Sequence, residues 1–214
     1  RLELEWFDEN TVDINKLANE LYDRDDVKAI IGPLNNDHIE TMANVMYDKG
    51  IPMFVMTSSE DIVRRYSSGT AGVAIKKPFM WSLSTTDITQ SQLILAKITS
   101  MGIKKMSIIS ASNKYGETFN RWIPYYANEM ELDIVDRVQY SSSNELENVM
   151  NKICKSDTEV VICALHNTDD VKTVLQTTKN NPNAPKVYFT GSALNTALLN
   201  LGTLAEGAEG FSMY

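Results

Sequence analysis

Cysteine and histidine are scarce: the 214-residue chain contains two of each. Cys154 and Cys163 are too few for a disulfide framework and lack metal-ligand spacing. The first falls in a helical pattern and the second in a buried-strand pattern, so both read as unpaired core thiols. The histidines, His38 and His166, are far apart in sequence, and no HExxH pattern occurs. Basic charge is also in deficit, with 20 Lys and Arg against 28 Asp and Glu, a net charge of −8. Basic residues adjoin only in pairs such as Lys76-Lys77, Lys104-Lys105 and Arg64-Arg65. A nucleic-acid face needs a larger basic patch, so no nucleic-acid partner is expected. No apolar run nears the roughly 18 residues of a membrane-spanning helix. GxGxxG, GxxxxGK[ST] and GxSxG are all missing, so a phosphate cradle and a nucleophile elbow lack their usual loops. No catalytic residue, metal ligand or cofactor is expected. The first residue is Arg1, with neither an initiator Met nor a signal segment, which suggests a processed chain or an excised piece.

What is present is an alternation. Leu2 to Phe7, Val27 to Ile31 and Ile51 to Met56 have strand patterns, and Val12 to Tyr22 and Asp37 to Lys49 have helical spacing. Ser58 to Pro78 shows no clear period and reads as a connection. The alternation then resumes. Strands are predicted at Phe79 to Ser84, Met106 to Ser110, Ile134 to Tyr140, Val160 to Leu165, Val187 to Thr190 and Phe211 to Tyr214. Helices are predicted at Thr86 to Ser100, Tyr115 to Met130 (with Pro124 inside), Asn144 to Cys154, Asp169 to Thr178 and Ala193 to Leu201. Strands alternating with helices of this length imply βαβ units and a parallel sheet covered on both faces. The fold class is α/β, doubly wound.

In such sheets a ligand sits at the carboxyl ends of the strands. The residues there are Gly32 to Asn36, Thr57-Ser58-Ser59, Ala111 to Gly116, His166-Asn167-Thr168 and Gly191-Ser192-Ala193. Small hydroxyl and amide side chains dominate, each set next to a helix or turn with free backbone N–H groups. The pattern suits holding a small polar molecule better than breaking one. The plainer alternative is that each of these residues only caps its helix. Asp169-Asp170 opens a helix, where the macrodipole favours acid, and a metal site there is the weaker reading. Trp122, Tyr125 and Tyr126 have helical packing spacing, and Trp81 reads as core. Tyr115 opens a helix after a strand, where a ring can cover a ligand and offer its hydroxyl.

Several segments resemble type I periplasmic binding proteins, the extracellular receptors typified by branched-chain amino-acid transport. They are Val27 to Pro33, Gly50 to Val55, Thr85-Thr86-Asp87, Ile108 to Gly116 with Lys114-Tyr115-Gly116-Glu117, and Glu206 to Phe211. The resemblance implies two α/β lobes with a ligand cleft between them. It places a partial first lobe at residues 1–80 and a second lobe at 81–214, as a segment of a longer protein. It implies a small polar ligand, an amino acid or a related compound, for ABC-type uptake or for sensing. A membrane permease or a signalling partner would follow, in the periplasm or outside the cell, with any lipid anchor beyond this segment. Asn36 matches the serine that holds a ligand carboxylate, and Thr57, Ser58 and Ser59 match contacts after the next strand. Tyr115 matches a cleft tyrosine, and His166 and Asn167 fall where a further contact lies. The family's acidic partner for a ligand ammonium is replaced by Ser192-Ala193, which leaves amides, nucleobases and sugars open as ligands. A doubly wound enzyme and a pure interaction domain are the competing readings.

Overall fold

The computed structural model describes residues 2–67, 79–165 and 167–211. The chain forms two compact units, Arg1–Thr86 and Asp87–Tyr214.

The first unit starts with α1, Ile14–Asp23, whose N-terminus is capped by the Asp13 carboxylate accepting from Lys16 N. Strand β1, Ile30–Ile31, leads to α2, Asn36–Met46, then to β2, Met53–Val55, α3, Glu60–Ser67, and β3, Met80–Ser82. The three strands are parallel in the order β1-β2-β3. Met53 and Val55 face a core made with Leu17 and Leu21 of α1 and Ile39, Met42 and Met46 of α2. Side chains alternate across a strand. Phe54 therefore points the other way, in one cross-strand row with Ile31 and Trp81. Ile31 is 77% and Trp81 44% exposed, so this row is not covered among the described residues.

Several expectations need correction here. Trp81 is not core: it stacks on Phe54 at 5.5 Å on the open face. Leu2 to Phe7 makes no ladder, although its alternation is right, because no described strand lies alongside to supply hydrogen bonds. Ser58 to Pro78 contains a helix, α3, with Ile62 and Tyr66 four residues apart on its buried side. Glu60 and Asp61 open that helix and Arg64 and Arg65 close it, as the macrodipole favours. Residues 68–78 lie outside the described residues. Ile30–Ile31 is all that remains of the Val27 to Ile31 strand.

The second unit contains α4, Asp87–Ser100, β4, Lys105–Ala111, α5, Lys114–Glu129, β5, Asp133–Tyr140, and α6, Ser143–Ile153. It continues with β6, Val160–Ala164, α7, Thr168–Lys179, β7, Lys186–Phe189, a 3-10 helix at Thr196–Leu204 and β8, Glu209–Gly210. All pairings are parallel, in the order β5-β4-β6-β7-β8. Both faces are covered. Met106 and Ile108 of β4, with Val160, Ile162 and Ala164 of β6, pack on α4 and α5. Ile109, Ala111, Val161, Cys163 and Leu165 pack on α6 and α7. Strands buried on both sides have no reason to alternate in polarity, and these do not. Cys154 and Cys163 are free and buried.

Two local devices support this unit. Pro124 has no N–H for the Asn120 carbonyl four residues back. Arg137 of β5 fills the gap, donating from Nη2 to Asn120 O at 2.7 Å, and α5 continues. Gly116 lets α5 start against β4: a Cβ there would lie 2.0 Å from Ala111 O. At the C-terminal end, the expected Ala193 to Leu201 α-helix is a 3-10 helix broken at Gly202, whose φ of 54° favours glycine. The last strand among the described residues is Glu209–Gly210; of the expected Phe211 to Tyr214 strand only Phe211 is described, outside β8, and residues 212–214 lie outside the described residues. Glu209 is positioned there by Tyr188, whose hydroxyl donates to its carboxylate.

Candidate ligand site

In the first unit the loops after β1 and β2 meet through side chains. Asn35 caps α2 by accepting from Asp37 N at 2.8 Å. Asn36, the next residue, accepts at Oδ1 from Thr57 Oγ1 at 2.7 Å. Thr57 Oγ1 in turn accepts from Ser59 N at 3.0 Å, and the Thr57 carbonyl accepts from Ser82 Oγ at 2.6 Å. Ser59 Oγ accepts a long bond from Ile62 N at 3.4 Å at the start of α3. Thr57, Ser58 and Ser59 are buried, and Asn36 is half-buried. The network has a chemical consequence. With Oδ1 accepting from Thr57, the Asn36 Nδ2 is a donor without an acceptor among the described residues.

One participant was not foreseen. The Glu9 carboxylate accepts from Leu34 N at 3.2 Å and Asn35 N at 3.3 Å, and lies 3.1 Å from His38 Nδ1. It already occupies backbone donors in front of α2, where an anion is favoured. His38 is thereby engaged by Glu9. No local sequence signal reports a contact across 25 residues.

In the second unit the strand order reverses between β4 and β6, which is the switch point where doubly wound sheets open a crevice. The residues after β4 and β6 are those singled out from sequence. Asn113 caps α5, accepting from Gly116 N at 2.9 Å. Tyr115 is 8% exposed, and its hydroxyl lies 2.6 Å from Thr190 Oγ1 and accepts from Ser192 N at 3.1 Å. Burial raises its phenol pKa, so the group stays neutral at physiological pH.

Asn167 caps α7 through Oδ1, accepting from Asp170 N at 2.8 Å, and donates from Nδ2 to Asp170 Oδ2 at 2.8 Å. His166 lies outside the described residues. The acidic pair divides: Asp169 is exposed, while Asp170 is buried and accepts from Tyr140 OH at 2.6 Å and Ser143 Oγ at 3.0 Å. Burial, and then the adjacent Asp170 carboxylate, push the Tyr140 phenol pKa up. Asn is a favoured N-cap residue, so this cap is readable in the sequence. No group of three or more His, Cys, Asp or Glu suited to a metal occurs among the described residues.

A family model described as periplasmic binding protein matches residues 1–214. The chain belongs to that family. Its fold is shared with a solute-binding protein of an R. palustris ABC transporter in complex with benzoate, at 13% identity and a TM-score of 0.77, covering 92% of this chain and 52% of that one. It is also shared with a branched-chain amino-acid ABC transporter protein from Thermus thermophilus with bound valine, at 15% identity and a TM-score of 0.76, covering 90% and 48%. A leucine-binding protein from Thermotoga maritima has 15% identity and a TM-score of 0.74, covering 94% and 55%. The chain thus spans about half the length of the solved structures it matches. Among curated proteins no match is found.

Proposed function

We propose that the chain belongs to a solute-binding protein that holds a small polar solute at the carboxyl ends of its parallel strands, without chemical conversion. Asn36, Thr57, Ser58 and Ser59 form the first-unit side of the site. Tyr115, Asn167 and, by resemblance, His166 mark the second-unit side. The observation that carries this reading is the Thr57–Asn36 hydrogen bond, which occupies the amide oxygen and leaves Nδ2 as a donor without an acceptor among the described residues. An amide donor without a partner suits an acceptor group on the ligand, a carbonyl or carboxylate. Valine and benzoate, named for two structural neighbours, both carry a carboxylate.

Residues 1–80 and 81–214 are read as a partial first lobe and a second lobe of the two-lobe fold. The protein would act in ABC-type uptake or in sensing, in the periplasm or outside the cell, with a membrane permease or a signalling protein as partner. Among the described residues no helix is long and apolar enough to cross a membrane. With Ser192-Ala193 in place of an acid, that loop offers no carboxylate to a ligand ammonium.

The test is a thermal-shift screen of the full-length protein against leucine, valine, benzoate, 4-hydroxybenzoate, glucose and adenine. At about 100 times its Kd a ligand stabilises by about 2.7 kcal/mol, which is a shift of several degrees. Stabilisation by one chemical class, lost in Asn36→Ala, supports the reading. A folded protein that responds to none of the panel, or a response untouched by Asn36→Ala, contradicts it.

A further inference from the structure

The loop after β7 is held by two helices distant in sequence. From α4, Gln90 Oε1 accepts from Gly191 N at 3.1 Å. From α5, the Tyr115 hydroxyl accepts from Ser192 N at 3.1 Å and bonds Thr190 Oγ1 at 2.6 Å. Ala193 N then closes the turn on Thr190 O at 3.0 Å. Gln90 is 2% exposed, Thr190 and Ala193 0%, and Tyr115 8%. Gly191 also sets a close fit, since a Cβ there would come 3.0 Å from Gln90 Oε1. Backbone N–H groups in a turn have no ladder partner, and buried ones need an acceptor. Here two side chains from separate helices supply the acceptors. The Tyr115 hydroxyl is thereby tied to this loop, as acceptor from Ser192 N and partner of Thr190 Oγ1.

We propose that Tyr115 and Gln90 are positioning residues, which fix the backbone of residues 190–193 at the carboxyl end of β7 and act on a bound solute through that loop. This rests on the solute-binding reading above. It changes the role of Tyr115 from a ring and hydroxyl laid on the ligand to a tether of the wall beside it. Ser192, half-buried at the turn, is then the group that the tether presents.

The test compares Tyr115→Phe with Gln90→Leu in the full-length protein. Amide exchange is read by NMR without ligand, and affinity is read with whichever of leucine, valine or benzoate the wild type binds. Tyr115→Phe keeps the ring and removes only the hydroxyl. Gln90→Leu loosens the same loop and leaves the Tyr115 hydroxyl in place. Each variant removes a side-chain acceptor from the loop, Tyr115→Phe the one for Ser192 N together with the bond to Thr190 Oγ1, and Gln90→Leu the one for Gly191 N; each raises Kd by about 2- to 10-fold and speeds exchange at the released amide by a similar factor. In the double variant the two losses of affinity are not additive, because both act through one loop. If Tyr115→Phe weakens binding while Gln90→Leu binds like the wild type, Tyr115 touches the ligand directly and the proposal falls. If exchange at Gly191 and Ser192 is unchanged in both variants, the tether does not exist. If exchange rises and affinity does not move, the loop is no part of the site. A wild type that binds none of the three probes overturns instead the reading on which the proposal rests, while the exchange data still report on the tether.

Discussion

The two units bury their sheets differently. In the second, β4 and β6 are sealed between α4 and α5 on one face and α6 and α7 on the other. In the first, three strands of two or three residues carry a core on one face only, and the row Ile31, Phe54, Trp81 is uncovered among the described residues. Leu2, Leu4 and Trp6 are exposed as well. Among the described residues the same βαβ rule thus gives a sheet covered on both faces in one place and on one face in the other. The difference lies in how much apolar surface finds a partner among the described residues.

The largest expected effect lies in the finished unit. Phe119 is fully buried, and Phe119→Ala should cost about 3–5 kcal/mol in urea unfolding followed in the second unit. In the 214-residue chain, Trp81→Ala on the open face should cost about 1 kcal/mol, mostly from its stack on Phe54. Equal costs would break the comparison. Gly116→Ala comes next. Its Cβ meets backbone and not a yielding side chain, so a loss of about 2–3 kcal/mol is expected with a displaced start of α5.

Asp170→Ala leaves the Tyr140 hydroxyl buried without its acceptor, for about 1–3 kcal/mol, measured by the same unfolding. The smallest effect is one of pH. Bonds from Lys104 N and Lys105 N lower the Glu159 pKa. Its stabilising contribution is therefore present above the unfolded-state pKa and lost as pH falls through the folded one. The Tm difference between wild type and Glu159→Gln should shrink in acid, below about pH 4. A difference that grows in acid would reverse that assignment.

Much of the fold was legible because hydrophobic period is a local property. Every helix of the second unit up to α7 lies within a few residues of its expected place, and caps such as Asn113 and Asn167 stood in the sequence as Asn before a periodic run. What failed was non-local. The Leu2 to Phe7 pattern is a strand pattern, but a ladder needs a second chain segment. Trp81 sits in a strand as expected, yet one face of that strand is uncovered among the described residues. Helix α3 was missed because its two buried residues are set among Ser, Glu and Arg in a helix of eight residues, too short to show a clear period. At the site, residue types at strand ends were readable. The Glu9 contact with the loop before α2, and the hold of Gln90 on Gly191, join residues far apart in sequence and leave no local trace.

The most direct test of the solute-binding account is an amide-exchange footprint of the full-length protein with and without the solute that stabilises it. The account predicts that bound solute slows exchange at residues 57–60, at the start of α5 and at residues 190–193, in both units together. Protection confined to one unit, or lying away from these strand ends, would contradict it.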